Sequence, residues 1–332
     1  MSDGPVVSIV IVSWNGRQHL ERCLTAVAAQ RGVDFETILV DNASTDGSAA
    51  FVAERFPWVR VLALDRNRGF AGGNNAGVRE AHGRYVAFLN NDTIADAGWL
   101  RALLDGIDEP ANVLLTTSQI VYMHNPAVID SAGDGVILAG GAFKHAHGAD
   151  VRTASVSREV FGVCGAACLM PRWLFDEIGG FDEDFFFSHE DVDLSYRARL
   201  RGYRCVYVAT AMVKHHGGGT SGKTSPFAVF YGQRNLEWMY LKNTPADLLV
   251  RTLPAHLAYN AAAAVHFARL GCLGAYVRGK LAAFARLPQM WRKRSAIQAT
   301  RRVESSALVA HMEKRWLAAK LREKRFDVGL ID

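Results

Sequence analysis

Six carboxylates stand at positions suited to chemistry: Asp41, Asp46 and Asp92 at predicted strand ends, and Glu190, Asp191 and Asp193 at the start of a predicted helix. Asp92 closely follows the apolar run Tyr85–Leu89. A carboxylate there suits a divalent cation bridging phosphates, because Mg2+ or Mn2+ takes oxygen ligands and keeps positions open for substrate oxygens. His215 or His216 offers a second ligand; the pair follows the strand-like Cys205–Val213 and precedes Gly217-Gly218-Gly219, and its plainer reading is a strand cap. Four polar loops surround these residues: Ser13-Trp14-Asn15-Gly16, Asp41 to Gly47, Asn67 to Asn75, and Asn90-Asn91-Asp92-Thr93. Singly, each passes for a helix cap or tight turn, where Asn, Asp and Gly are common. Four on one sheet edge make a candidate binding rim.

The elements that must position them alternate. Strand-like runs at Val6–Ser13, Glu36–Asp41, Val59–Leu64 and Tyr85–Asn90 are separated by helical patterns at Gly16–Gln30, Ser48–Phe56 and Gly73–Ala81. This order implies a parallel sheet wrapped by helices, with ligands outside the carboxyl ends of the strands. The segment 110–180 reads as further strands of that sheet plus acceptor-facing loops. Residues 190–202 form a helix with acids in the first turn, arginines in the last and Gly202 closing it, as the helix dipole favours. From Pro226 the pattern turns wholly helical, so residues 1–225 and 226–332 are expected as two domains.

The chain has 332 residues, 49% hydrophobic and 21% charged, which excludes disordered and collagen-like classes. Its five cysteines are dispersed and lack CxxC spacing, so a disulfide framework and a structural zinc site are not expected, and a reducing compartment fits. Val6–Val12 has no basic flank and no small-residue cleavage site, so a cytoplasmic location is expected. The net charge of +5 hides an asymmetry: residues 1–225 hold 20 Lys and Arg against 26 acids, whereas residues 226–332 hold 18 against 7. Such a basic region suits an anionic partner, nucleic acid or phospholipid headgroups. The uncharged stretch between Arg251 and Arg269 contains Pro254, His256, Asn260 and His266, too polar for a membrane span. Arg278, Lys280, Arg286 and Arg292-Lys293-Arg294, interleaved with Tyr276, Phe284 and Trp291, read as helices lying on an anionic membrane surface, with a packed helical subdomain as the alternative. No nucleic-acid-binding motif accompanies them.

Taken in order, Ser13-Trp14-Asn15-Gly16, Asp41 to Gly47, the Asn67–Gly77 loop, Asn90-Asn91-Asp92, Gly180-Phe181-Asp182-Glu183, His189-Glu190-Asp191-Val192-Asp193 and His215 resemble the motif set of the family 2 inverting glycosyltransferases. The resemblance covers about residues 5–235. It implies an α/β, A-type glycosyltransferase fold (Rossmann-like, a mostly parallel sheet with helices on both faces), a nucleotide-diphosphate sugar donor and Mg2+ or Mn2+. The stretches Asn67 to Asn74 and Leu89-Asn90-Asn91-Asp92 are similar to bacterial rhamnosyltransferases that build cell-envelope glycans, which points to dTDP-rhamnose as donor. Together with the basic helices, this suggests a lipid-diphosphate-linked glycan acceptor at the inner face of the plasma membrane.

Carried over by resemblance, Asp41 accepts a hydrogen bond from the pyrimidine base, and Ser13, Asn15, Asp46, Arg68, Gly69, Asn74 and Asn91 belong to the nucleotide-sugar pocket. Asn90-Asn91-Asp92 occupies the family's Asp-x-Asp position. Asn90 replaces the first acid, facing a ribose hydroxyl, so Asp92 is the motif's only anionic ligand. His215 matches the family's histidine ligand and Asp191 its catalytic base. Glu190 is expected to orient Asp191 or the acceptor, and Asp193 to point elsewhere on the helix. Arg234 matches a basic residue that grips the diphosphate. The Gln-x-x-Arg-Trp pattern of processive synthases is absent, which favours single-sugar transfer. Asn90 motivates one alternative, a nucleotide-sugar-binding protein without activity. The other, a nicotinamide-dependent oxidoreductase, lacks GxGxxG after the first strand.

Overall fold

The computed structural model describes residues 4–217 and 225–328; Gly218 and Gly219 of the expected glycine run lie outside the described residues. The strands are β1 (Val7–Ser13), β2 (Phe35–Asp41), β3 (Arg60–Ala63), β4 (Tyr85–Leu89), β5 (Thr93–Ala95), β6 (Val113–Tyr122), β7 (Ile129–Ser131), β8 (Asp134–Val136), β9 (Ala142–Lys144), β10 (Arg158–Val160), β11 (Ala167–Pro171) and β12 (Arg204–His215). Around them run α1 (Arg17–Ala28), α2 (Ser48–Arg55), α3 (Gly69–Arg79), α4 (Trp99–Asp105), α5 (Arg172–Glu177) and α6 (Glu190–Leu200). The helical region holds α7 (Pro226–Asn243), α8 (Ala246–Arg269), α9 (Leu273–Ala285), α10 (Leu287–Ala299), α11 (Ser305–Ala310) and α12 (Trp316–Val328).

The main sheet runs β10-β12-β6-β11-β4-β1-β2-β3, with β5 on β12 and β7 on β6. Strands β4, β1, β2 and β3 are parallel neighbours, as the alternating pattern predicts. Strand β11 is inserted antiparallel between β4 and β6, so the middle segment extends the same sheet. Val7, Ile9, Val10 and Ile11 of β1 are fully buried, as expected of a central strand covered on both faces. One face is covered by α1, α2 and α4, through Leu20, Leu24, Val52 and Trp99. The other is covered by α3, α5 and α6, through Val78, Phe175 and Leu194.

Helix α3 begins four residues earlier than its pattern predicts, so most of the expected Asn67–Asn75 loop is helix. Two features override the low helix propensity of its glycines. Asn67 Oδ1 accepts from the Gly69 N–H at 2.8 Å, fixing the turn that leads into the helix. The glycines also let α3 lie against the sheet: a Cβ on Gly77 would sit 2.5 Å from Val10 Cγ1, and one on Gly73 would sit 2.7 Å from Val12 Cγ1. Burial of this face outweighs propensity.

The expected boundary at 225 falls on the N-cap of α7, where Ser225 Oγ accepts from the Ala228 N–H at 3.2 Å and Pro226 occupies the first turn. Helix α7 then packs against the N-terminal half. Trp238 and Met239 share a core with Val192 and Tyr196 of α6 and with Met290 of α10. Three of the basic residues expected on a membrane face are instead used internally. Lys280 bonds Glu237 Oε1 at 2.5 Å, Lys293 bonds Asp182 and Asp184, and Arg294 donates to the carbonyls of Leu241 and Thr244 at 2.5 and 2.6 Å. Tyr276 is also buried, its hydroxyl donating to Asn260 O at 2.8 Å. A buried acid or carbonyl needs a donor, and these side chains supply it. Arg278, Arg286, Arg292, Phe284 and Trp291 do face outward. Among the described residues, no helix is long and apolar enough to cross a membrane.

Candidate active site

The carboxyl ends of β1, β2 and β4 bring the predicted nucleotide residues together. Asn91 Nδ2 donates to Ser13 Oγ at 2.9 Å, tying the tips of β4 and β1. Asn15 Oδ1 accepts from the Thr45 N–H at 2.8 Å and its own N–H donates to Ser44 Oγ at 2.9 Å, so the first two loops are laced to each other. Asp46 accepts from the backbone N–H groups of Arg17 and Ser48 at 2.9 and 3.0 Å. Burial, the largest influence on this carboxyl, raises its pKa, but these bonds and that from the Ser48 hydroxyl hold it below the usual carboxylate range. Asp41 is buried beside them; its Oδ2 accepts from the Ser44 N–H at 3.3 Å, whereas its buried Oδ1 meets no partner among the described residues. A buried acceptor left open at a strand end is what a ligand N–H would fill.

Three residues of the expected pocket sit differently. Asn74 is buried and donates to Phe70 O of its own helix at 2.9 Å. Its neighbour Asn75 reaches out instead, exchanging bonds with the Phe181 backbone at 2.8 and 3.0 Å. Gly69, at φ 68°, lies under the loop before α6: Phe70 N–H donates to Phe186 O at 2.9 Å, and a Cβ on Gly69 would come within 2.2 Å of that oxygen. The Arg68 backbone is held by Asn42 Oδ1 at 2.8 Å, and its guanidinium pairs with Asp65 at 3.1 Å. Asn42 therefore braces the whole Asn67–Gly69 turn, its amide also donating to Asn67 Oδ1 and Gly69 O, both at 3.0 Å.

Asp92 and His215 face each other, with Oδ1 and Nε2 3.3 Å apart. His215 is the last residue of β12 rather than one beyond a strand, and it pairs with Thr93 of β5, directly after Asp92. Its Nδ1 meets Asp130 Oδ2 at 2.8 Å. Burial pushes the imidazole pKa down, yet its bonds to Asp130 and Asp92 and their charges outweigh this and raise it to about 9. For Asp92, burial pushes up, but His215 holds it below the usual carboxylate range. The donor set, one carboxylate oxygen and one imidazole nitrogen, suits Mn2+ or Mg2+. Neighbouring ligands at about 2.1 Å on an octahedral ion lie roughly 3 Å apart, close to the spacing seen. His216 turns aside, its ring 5.1 Å from that of His19.

The base candidate closes the far side. Asp191 Oδ2 accepts from the Gly165 N–H at 2.8 Å, and Oδ1 from the Val192 N–H at 2.8 Å. The next residue of that loop, Ala166, accepts through its carbonyl from the Asn90 N–H at 2.9 Å. One short turn thus connects the carboxylate on α6 with the strand tip that carries Asp92. Burial pushes the Asp191 carboxyl up, partly opposed by its two N–H donors. Glu190 is buried, its Oε2 without a partner among the described residues, and burial plus the Asp191 charge push it up as well. Asp193 points away into α7, as expected, bonding Arg197 at 3.0 Å and Asn243 at 2.8 Å. Asp134 and Cys164 approach Asp191, three potential ligand atoms within 4.8 Å of one another. Burial pushes both the Asp134 carboxyl and the Cys164 thiol up.

Arg234 does not reach toward the strand ends. Its guanidinium lies 4.1 Å from the Trp238 ring centre and donates to the carbonyls of Asp184 and Phe185 at 2.7 and 2.9 Å. Beside it, Asn235 Nδ2 donates to Phe185, Phe187 and Ser188 at 2.8–2.9 Å. These bonds clamp a loop in which Phe186, Ser188 and His189 all have positive φ, at 62°, 71° and 70°. Non-glycine residues adopt that conformation at a cost, and surrounding contacts must enforce it. Asn235 was not legible as a site residue; Gln233, Arg234 and Glu237 flank it, so nothing in the local pattern sets it apart.

Comparison with known proteins matches residues 8–179 to the family described as Glycosyl transferase family 2. The succinoglycan biosynthesis protein ExoO of Rhizobium meliloti is 38% identical over 105 residues, 31% of this chain and 30% of that protein. The N-acetylglucosaminyl-diphospho-decaprenol L-rhamnosyltransferase of Mycobacterium tuberculosis is 29% identical over 242 residues, 66% of this chain and 78% of that protein. A mannosyltransferase from Pyrobaculum calidifontis, solved with GDP-Man and Mn2+, superimposes with a TM-score of 0.54 at 18% identity, covering 92% of this chain and 86% of that one. GalNAc-T7, solved with UDP, GalNAc and Mn2+, gives 0.56 at 16% identity, covering 77% and 55%. The fold is that of the A-type glycosyltransferases, with helices added at the C-terminus.

Proposed function

Since the chain belongs to glycosyl transferase family 2, we propose that it is an inverting, metal-dependent glycosyltransferase that adds one sugar to a lipid-diphosphate-linked cell-envelope glycan. The mycobacterial relative is an L-rhamnosyltransferase, which supports rhamnose as the sugar, and dTDP-rhamnose is the donor of this reading. The observation carrying the reading is the Asp191 carboxylate, oriented by two backbone N–H groups and joined through Gly165–Ala166 to the tip of β4. Asp191 takes the proton of the acceptor hydroxyl as that oxygen bonds to the anomeric carbon. The carbon–oxygen bond to the diphosphate breaks on the opposite face, and its electron pair leaves with the nucleoside diphosphate. Asp92 and His215 would hold the cation, which supplies Lewis-acid compensation for charge growing on the departing diphosphate. Asp41, through its open Oδ1, receives the base N–H, while Ser13, Asn15, Asp46 and Asn91 shape the nucleotide pocket and Asn90 faces the ribose. Arg234 serves by bracing the loop before α6 rather than by gripping the diphosphate.

A thermal-shift panel of nucleotide sugars with Mn2+ tests the donor: dTDP-rhamnose stabilises the protein most, and a flat response across the panel would sink the reading. In the same assay, Asp92→Ala weakens donor affinity by roughly 100-fold, at or beyond what loss of a ligand's supporting partner costs. Unaltered affinity would remove Asp92 from the cation site.

The acceptor's lipid is matched by the outer faces of α8 to α10. Val250, Leu257, Leu281, Phe284 and Trp291 are 54–77% exposed, among the outward Arg251, Arg278, Arg286 and Arg292. Exposed apolar side chains interspersed with basic ones suit an anionic bilayer. Vesicles containing phosphatidylglycerol are expected to sediment the protein at low salt. The combined variant Leu281→Asp, Phe284→Asp should abolish this, and retained sedimentation would argue against this face.

A further inference from the structure

We infer that Asp130, a residue in none of the motifs, is the positioning carboxylate that fixes which nitrogen of His215 faces the cation. The inference rests on the reading of Asp92 and His215 as the metal ligands. Asp130 lies on β7, is only 2% exposed, and has each carboxylate oxygen committed to a different partner. Its Oδ2 meets His215 Nδ1 at 2.8 Å, and its Oδ1 accepts from Lys144 Nζ at 2.9 Å. Lys144 comes from β9, whose backbone at that residue donates to Glu323 Oε1 of α12 at 2.9 Å. A carboxylate anchored at both oxygens cannot rotate, so the imidazole plane is set by Asp130. An ionised carboxylate only accepts, so the proton on the bond they share belongs to Nδ1. Nε2, opposite Asp92, is thereby the nitrogen that can give its lone pair to a cation. Histidine ligands depend on such outer partners for orientation, and removing one weakens metal affinity about 10–100-fold.

Lys144 makes the arrangement testable. In Asp130→Asn a single amide oxygen replaces two carboxylate oxygens. The lysine, a donor only, claims it, and the amide NH2 is turned toward His215, where it favours a proton on Nε2 instead. Removing the lysine too, in Asp130→Asn with Lys144→Met, frees the oxygen to accept from Nδ1 and removes the buried carboxylate charge together with its half-buried counter-ion, which folds more readily than removing one of the pair.

Mn2+ affinity, read from the free-ion signal in electron paramagnetic resonance with UDP or dTDP present, is expected to fall 10–100-fold in Asp130→Asn and to recover at least several-fold in the double variant. The 15N shifts of His215 in Mg2+-loaded protein should move in the single variant and return in the double one. A purely structural role would give no recovery. Mn2+ affinity within twofold of the parent in Asp130→Asn, or an equal loss in both variants, overturns the inference. His215→Ala separates the two levels. If it abolishes Mn2+ binding while Asp130→Asn does not, only the role of Asp130 fails; if it leaves binding intact, the ligand assignment fails and this inference with it.

Discussion

Replacing Asp191 by asparagine is expected to lower turnover by about 10²–10⁴-fold, the usual worth of a positioned general base, while donor affinity stays within a few-fold. Asparagine keeps the size of the side chain but cannot take the acceptor's proton. Near-parental turnover would overturn the assignment of the base. The pH profile gives a second reading. Only the ionised carboxylate accepts a proton, so activity rises with pH through the titration of Asp191. Burial pushes both Glu190 and Asp191 up, and the Asp191 charge adds to the rise at Glu190, which reaches about 8, so the rising limb belongs to Asp191 and lies above the ordinary carboxylate range. Asp191 therefore ionises beside a neutral Glu190, and Glu190→Gln is expected to leave that limb where it is. A limb displaced by about a full pH unit would contradict this order of titration.

The second large effect is expected at Asn235, which touches no reacting atom. Asn235→Leu leaves the carbonyls of Phe187 and Ser188 without the donor that Nδ2 supplies and weakens the hold on Phe185. Each buried carbonyl left unpaired costs roughly 1–3 kcal/mol, so a loss of about 3 kcal/mol in denaturant unfolding is expected. The three left-handed residues are then free to relax, and Asp191, two positions beyond them, shifts. A displacement of about 1 Å can cost 10²-fold in turnover. Asn235→Asp should be worse, because it sets a negative charge against three carbonyl oxygens. If stability falls as expected but turnover does not, the loop conformation is set elsewhere.

The legible part of this molecule was the part governed by local rules. Continuous apolar runs disclosed the central strands, and the acids and asparagines ending them disclosed the rim. The helix at 190 was legible from its charge pattern at both ends. Helix α3 was misjudged because what allows it, the fit of Gly73 and Gly77 against Val12 and Val10, is a contact between elements distant in sequence. Arg234 was misplaced for a related reason. On a helix it looks free to reach any anion, yet the carbonyls of a strained loop some 50 residues earlier claim it. Asp130 escaped notice altogether, since an acid inside a three-residue strand carries no local sign that a histidine 85 residues later will lie against it. Charge counts likewise located a basic region but not its inward-facing members, Lys280, Lys293 and Arg294.

Those inward-facing cations bear on how such enzymes can be recombined. Helix α10 presents Trp291 to solvent and, two residues on, sends Lys293 down to Asp182 and Asp184, while Lys242 of α7 meets Asp182 and Asp193. A chimera joined at residue 225, where composition changes most visibly, would strip these acids of their counter-ions and leave them stranded in the interior, a loss of about 3–5 kcal/mol for each broken pair. Exchange of acceptor or envelope specificity between relatives is therefore better cut after α10, beyond Ala299, so that the recipient keeps the lysines its own aspartates were built around.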